Sequence, residues 1–202
     1  FMQQGTPFIY QGEEIGMTNV KYSSIDKYDD VKSINAYKDM MEKGFKKEQC
    51  MKHLWATSRD NARTPMQWSN SENAGFSKSK PWIEINDNYK VINVENQITD
   101  KDSIFNFYKN MIKIRKANNV LIYGEYKLIL EEDENIYGYI RNLDNVKFII
   151  ITNLTDKEVE YAYDKEVLKF ENLLISNYKV SNHQPLNKLN LKPYEARMYK
   201  LD

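Results

Sequence analysis

Hydrophobic positions along the chain change their period once, near residue 119. Before that point apolar residues recur at helical spacing between polar stretches. The run Ser33-Ile34-Asn35-Ala36-Tyr37-Lys38-Asp39-Met40-Met41 predicts an amphipathic helix over 33–43, with Ser33 as N-cap and Gly44 as breaker. A second helix is expected over 46–55, carrying Met51, Leu54 and Trp55 on one face, with His53 on the same helix. The clearest helix covers 102–118, where Ile104, Phe105, Tyr108, Met111, Ile112 and Arg115 share a face. Asp100 and Asp102 suit its N-terminus, Lys113, Arg115 and Lys116 its C-terminus, and Asn118-Asn119 ends it. Near the start, Gly5-Thr6-Pro7 is turn chemistry. Phe8-Ile9-Tyr10 is too short for a helix and predicts a buried parallel strand that turns polar at Gln11-Gly12-Glu13-Glu14.

After 119 the pattern alternates. Tyr126, Leu128 and Leu130 oppose Lys127, Ile129 and Glu131, and further strands are predicted over 136–143, 148–154, 158–163, 173–178 and 196–201. Glu134-Asn135 and Asp144-Asn145 supply turns. Short strands at regular spacing without a long helix point to an antiparallel sandwich, so a domain boundary is placed between 1–118 and 119–202. There is no internal repeat and no low-complexity segment.

Composition narrows the function class. The 202 residues are 41% apolar and 29% charged, with formal net charge zero, which is globular and lacks the basic excess that a nucleic-acid partner requires. Charges of both signs are interspersed, and no apolar stretch is long enough to span a membrane. Cys50 stands alone and cannot form an internal disulfide. With no secretory signal in view, a cytoplasmic setting is expected, although a truncated start would hide one. His53 and His183 stand apart without a ligand cluster, so neither a metal nor a cofactor is expected; His183 reads as a loop histidine.

The candidate chemistry lies in Arg59-Asp60-Asn61-Ala62-Arg63-Thr64-Pro65-Met66-Gln67-Trp68. Pro65 stops any helix reaching it, which leaves a loop holding two guanidinium forks beside a Trp. Such forks grip carboxylates and vicinal hydroxyls, and a Trp face packs against sugar rings. The plainer alternative is a surface loop whose arginines pair with nearby acids. Glu13 and Glu14 are adjacent, but sequence neighbours point apart, and pairing with a loop cation is expected over acid/base work.

The loop resembles the one that follows the eighth barrel strand in the oligo-1,6-glucosidase group of the α-amylase superfamily, glycoside hydrolase family 13. Gly5-Thr6-Pro7-Phe8-Ile9-Tyr10-Gln11-Gly12-Glu13-Glu14-Ile15-Gly16-Met17-Thr18-Asn19 resembles that strand and its turn. Ala74-Gly75-Phe76, Pro81-Trp82-Ile83, Asn88-Tyr89, Ile92-Asn93-Val94 and Pro193-Tyr194-Glu195-Ala196 follow in the family's order. The implied fold class is α/β followed by all-β. It comprises the last strand and helix of a (β/α)8 barrel with an inserted loop region, then a C-terminal antiparallel β-sandwich. The implied activity is retaining hydrolysis of α-1,6-glucosidic bonds in isomaltose and short isomalto-oligosaccharides, with short α-glucosides as partners.

The family's nucleophile, acid/base and stabilising carboxylates lie on earlier strands. No catalytic residue is therefore assigned here, the chain alone is expected to be inactive, and its partner is the N-terminal catalytic part of the same protein. By resemblance the family's loop arginine falls on Arg59 or Arg63. Arg59 is expected at the terminal glucose beside an acidic partner, Asp60 to orient an arginine, and Arg63 to brace the loop through Glu13 or Glu14. Lys32 stands where relatives often carry an acid bordering the aglycone subsite. It suits either a phosphorylated disaccharide, as in a trehalose-6-phosphate hydrolase, or an ordinary surface exchange. A sucrose isomerase of the same family and a non-catalytic glycan-binding β module remain alternatives. The second would use tyrosines at spacing two, Tyr137 and Tyr139 or Tyr161 and Tyr163, although core packing is the expected use of these pairs.

Overall fold

The computed structural model describes residues 1–163, 170–180 and 186–201. His183 lies outside the described residues. The chain forms two compact units, one of Phe8–Tyr108 and one of Phe1–Pro7 with Lys109–Asp202. The division between these units falls within the long helix.

In the second of these units, helix α4 (Ile104–Ala117, which begins in the other unit) and the short α5 (Asn119–Tyr123) precede seven strands among the described residues. These are β1 (Glu125–Ile129), β2 (Ile136–Leu143), β3 (Val146–Asn153), β4 (Val159–Ala162), β5 (Phe170–Ser176), β6 (Lys188–Leu191) and β7 (Ala196–Leu201). A five-stranded sheet has the order β1-β2-β3-β7-β5, and β4 pairs with β6. Every pairing is antiparallel. Alternation along the strands explains why the sheet has two apolar faces. Ile136 and Ile140, Ile149 and Ile151, and Tyr199 and Leu201 pack with Tyr161, Leu189 and Leu191 from the strand pair and with Tyr163 just after β4. Tyr139, Phe148, Ile150 and Met198 face the other way, onto Met2, Val120 and Leu121.

The predicted strands over 136–143 and 196–201 coincide with β2 and β7, and the others fall within a few residues of β1, β3, β4 and β5. Sequence reading missed β6, although Lys188-Leu189-Asn190-Leu191 alternates, with both leucines buried. Tyr139, Tyr161 and Tyr163 are core residues, and half-buried Tyr137 bonds to the Tyr126 hydroxyl at 2.8 Å.

The Phe8–Tyr108 unit has little regular structure. It holds α1 (Val31–Glu42), α2 (Lys47–Thr57), α3 (Val94–Thr99) and several single helical turns. Val20, Tyr22, Tyr28, Met51 and Leu54 form its apolar cluster, with Trp55 against it. Two expectations need correction. The N-cap of α1 is Asp30, whose side chain accepts from Ser33 N; the Asp three residues before Ser33 was the signal overlooked. Residues 8–10 are not a strand: they pair with no described segment, and Phe8 is 92% exposed. A lone extended segment has no ladder partner for its backbone groups, so its apolar sequence cannot make it a strand. Among the described residues no helix is long and apolar enough to cross a membrane.

Candidate functional site

The loop with the two forks is built around buried carboxylates. Leu54 accepts from Ser58 N as α2 ends, and the Ser58 side chain caps the helical turn Arg59–Ala62 by accepting from Asp60 N. Asp60 is 1% exposed. Its Oδ2 accepts from the backbone N–H of Asp29 at 2.8 Å and of Asp30 at 2.9 Å. Its Oδ1 accepts from Arg63 Nη1 at 3.2 Å. Asp30, 2% exposed, accepts at Oδ1 from Arg59 Nε at 3.0 Å and Nη2 at 2.8 Å. Its Oδ2 accepts from Ser33 N at 3.2 Å and Ser33 Oγ at 2.7 Å. The Ser33 and Ser58 hydroxyls stand 2.9 Å apart.

Two aspartates thus cross-brace the loop to the start of α1. Burial alone would raise the Asp30 pKa. The Ser33 and Arg59 hydrogen bonds and the Arg59 charge outweigh it and hold the carboxyl well below the usual carboxylate range. Burial, reinforced by the Asp60 charge, pushes the Tyr28 hydroxyl up to about 12.

The predicted residues do not gather in one cluster. Arg59, Asp60 and Arg63 share the cross-brace with Asp30. Arg59 binds Asp30 through two nitrogens, with its side chain 60% exposed. Arg63 makes a single described contact, to Asp60, with its side chain 43% exposed. The bracing of Arg63 through Glu13 or Glu14 is therefore corrected, because the nearer carboxylate three residues back takes the fork. Glu14 Oε2 accepts from Gly12 N at 2.7 Å, and Glu13 Oε1 accepts from the Tyr108 hydroxyl at 3.2 Å. Both acids serve the turn at 10–17 instead. Gly12 there has φ of 97°, and a Cβ on it would meet Met17 Sδ at 2.6 Å. Lys32 is exposed on the first turn of α1 with no described partner. Asp30, Ser33 and Ser58 are the network members that sequence reading did not place at the site.

A cleft of about 300 Å³ opens beside the loop, lined by Tyr10, Gln11, Glu13, Asn19, Asn61 and Thr64 among others. The Tyr10 hydroxyl donates to Ala62 O and closes one side. Amide, hydroxyl and carboxylate groups beside an aromatic ring suit a polyhydroxylated ligand. The described residues contain no group of three His, Cys, Asp or Glu side chains that could hold a metal.

Residues 1–124 match the family described as Alpha amylase, catalytic domain, and residues 136–197 match the Alpha-amylase SusG C-terminal domain. The chain is 48% identical over 202 residues to an oligo-1,6-glucosidase of Parageobacillus thermoglucosidasius, covering 99% of this chain and 36% of that protein. It is 39% identical over 203 residues to the trehalose-6-phosphate hydrolase of Bacillus subtilis (strain 168), covering 99% and 36%. Among solved structures, trehalose-6-phosphate hydrolase from Bacillus licheniformis superposes with a TM-score of 0.92 at 42% identity, covering 98% of this chain and 36% of that one. Isomaltulose synthase from Klebsiella sp. LX3 superposes with a TM-score of 0.89 at 36% identity, covering 100% and 36%. The chain thus spans 36% of the length of each of these relatives.

Proposed function

The chain belongs to the α-amylase catalytic-domain family, and from that premise we propose that it supplies the C-terminal part of a retaining α-glucosidase acting on the α-1,6 bonds of isomaltose and short isomalto-oligosaccharides. In this reading residues 8–10 take the place of the eighth strand of a (β/α)8 barrel, their ladder partners being supplied by the N-terminal catalytic part, α4 is the last barrel helix, and the strands beyond 119 form the sandwich. A cytoplasmic setting and the absence of a cofactor go with it. The observation that carries the reading is the identity across nearly the whole chain, 48% to an oligo-1,6-glucosidase against 39% to a trehalose-6-phosphate hydrolase.

A retaining glycosidase uses one carboxylate to attack the anomeric carbon and a second to protonate the leaving oxygen, about 5–5.5 Å apart. By resemblance both lie outside this chain. Its own share is to hold the sugar, through interactions that position it and strengthen towards the transition state. The loop geometry favours the reverse of the arginine roles expected from sequence. Arg59 is engaged by Asp30 through Nε and Nη2, so it ties α1 to the loop. Arg63 engages only Nη1 with Asp60 and keeps its other donors for the hydroxyls of the terminal glucose. Asp60 is then the positioning carboxylate for both the Arg63 fork and the start of α1.

The test is a chimera in which this chain replaces the matching residues of the Parageobacillus enzyme. Glucose release from isomaltose at a rate near the parent's supports the reading. A chimera that folds and prefers trehalose 6-phosphate or isomerises sucrose would sink it. Lys32, exposed and without a partner among the described residues, favours trehalose-6-phosphate hydrolysis as the second reading, and in that case Lys32→Glu should abolish the preference for the phosphorylated substrate.

A further inference from the structure

Two arginines are buried in the sheet unit without a carboxylate partner among the described residues. Arg115, on the last turn of α4, is 8% exposed, and Arg141, on β2, is fully buried. Among the described residues no ion pair reaches either one. Their donors go to main-chain carbonyls instead. Arg115 Nη1 donates to Phe1 O at 2.5 Å, Gln3 O at 2.9 Å and Leu121 O at 2.8 Å, and Nη2 donates to Gly5 O at 2.5 Å. Arg141 Nη1 donates to Met2 O and Leu121 O, both at 3.0 Å. Its Nη2 donates to Gly124 O at 2.7 Å, and its Nε to Glu125 O at 3.3 Å.

A buried cation is costly unless its donors are met, and an acid is the usual means. Here carbonyl dipoles do that work. Burial lowers the Arg141 pKa; Tyr139 opposes this, and the neighbouring Arg115 charge adds to it. A packed apolar pair in the same place would avoid that repulsion, so the placement of two forks calls for a reason beyond filling the core. The carbonyls they reach supply one. Four belong to Phe1, Met2, Gln3 and Gly5, which make no strand.

We propose that Arg115 and Arg141 are positioning residues that mount residues 1–5 on the sheet unit through their main-chain carbonyls. The sheet unit therefore serves as the mount for residues 1–5. A planar guanidinium can reach carbonyls lying in several directions at once, whereas the ammonium of a lysine is a point charge on a flexible stem. This inference stands apart from the glycosidase reading, because it concerns only groups within the chain.

The experiment is a nitroxide label on Gln4→Cys, a position exposed in the structure; Cys50 is fully buried, and a labelled control with Gln4 intact verifies that it does not react. In the unsubstituted chain the spectrum should be broad, and in guanidinium the label should become mobile only together with loss of the sheet's circular dichroism. Arg115→Gln and Arg141→Gln should each sharpen the spectrum at least severalfold while the sheet signal remains. Arg115→Lys and Arg141→Lys should fail to restore it. A label that stays immobile in a folded Gln or Lys variant overturns the proposal. If the variants do not fold, release of the label in the unsubstituted chain well before the sheet unfolds overturns it as well.

Discussion

The two units satisfy their backbones by opposite means. The sheet unit joins its strands through backbone ladders and buries isoleucines on both faces of one sheet. The Phe8–Tyr108 unit has no strand among its described residues and relies on side chains bonded to the main chain. Asp30, Ser58, Asn86 and Asn93 each cap a helix or turn there, and Asp60 captures two backbone amides at once. That unit also leaves large apolar residues uncovered, Phe8 at 92% and Trp82 at 76%. The difference teaches that a repeating apolar pattern makes a core by itself, whereas an irregular unit depends on the identity of single polar residues.

The strongest test concerns what the irregular unit can do without further chain. With no catalytic carboxylate matched by resemblance and residues 8–10 unpaired, the purified chain should release no glucose from isomaltose or a nitrophenyl α-glucoside. Measurable release would show that the cleft is complete by itself.

The sheet unit should fail through its core. Ile149 and Ile151 are fully buried, and Ile149→Asp or Ile151→Asp places an unpaired charge there. Each should cost about 3–5 kcal/mol and unfold the sheet in circular dichroism. Retention of a native β spectrum would show that the core tolerates charge and weaken the contrast.

The irregular unit should instead be sensitive at single polar groups. In the chimera, Arg63→Ala should lower kcat/KM by roughly 30-fold at nearly unchanged melting temperature, about 2 kcal/mol for a lost charged hydrogen bond. Arg59→Ala should lower the melting temperature with a smaller kinetic effect, because its fork holds Asp30. The opposite outcome would return the sugar-facing role to Arg59.

Asp30→Ala should cost about 1–2 kcal/mol at neutral pH through loss of the cap and of the Ser33 contact. The folded pKa of Asp30 is depressed, so its contribution is complete above the unfolded value of about 3.9 and disappears as pH falls towards the folded one. The penalty of Asp30→Ala should therefore shrink below about pH 4. A penalty that persists unchanged into acid would show that Asp30 is not held ionised by the cross-brace.

The sequence by itself determined the β-rich second half, the long helix to within two residues of α4, the turn and loop motifs, and the family likeness. Alternation and helical spacing are local codes for burial, which is why β2 and β7 could be bounded to the residue. Tertiary structure alone decided which acid each fork meets: Arg59 binds Asp30 across 29 positions, and Arg63 takes Asp60 in place of Glu13 or Glu14. It alone revealed that Arg115, which shares the apolar face of its helix, is buried against carbonyls more than 100 residues away. It also left residues 8–10 unpaired although their sequence is strand-like. The physical reason is the same in each case. A residue's own sequence neighbourhood fixes its tendency to be buried or extended, but the partner of a charge, or the neighbour of a strand, lies wherever the fold brings the chain back, and short-range periodicity carries no record of that.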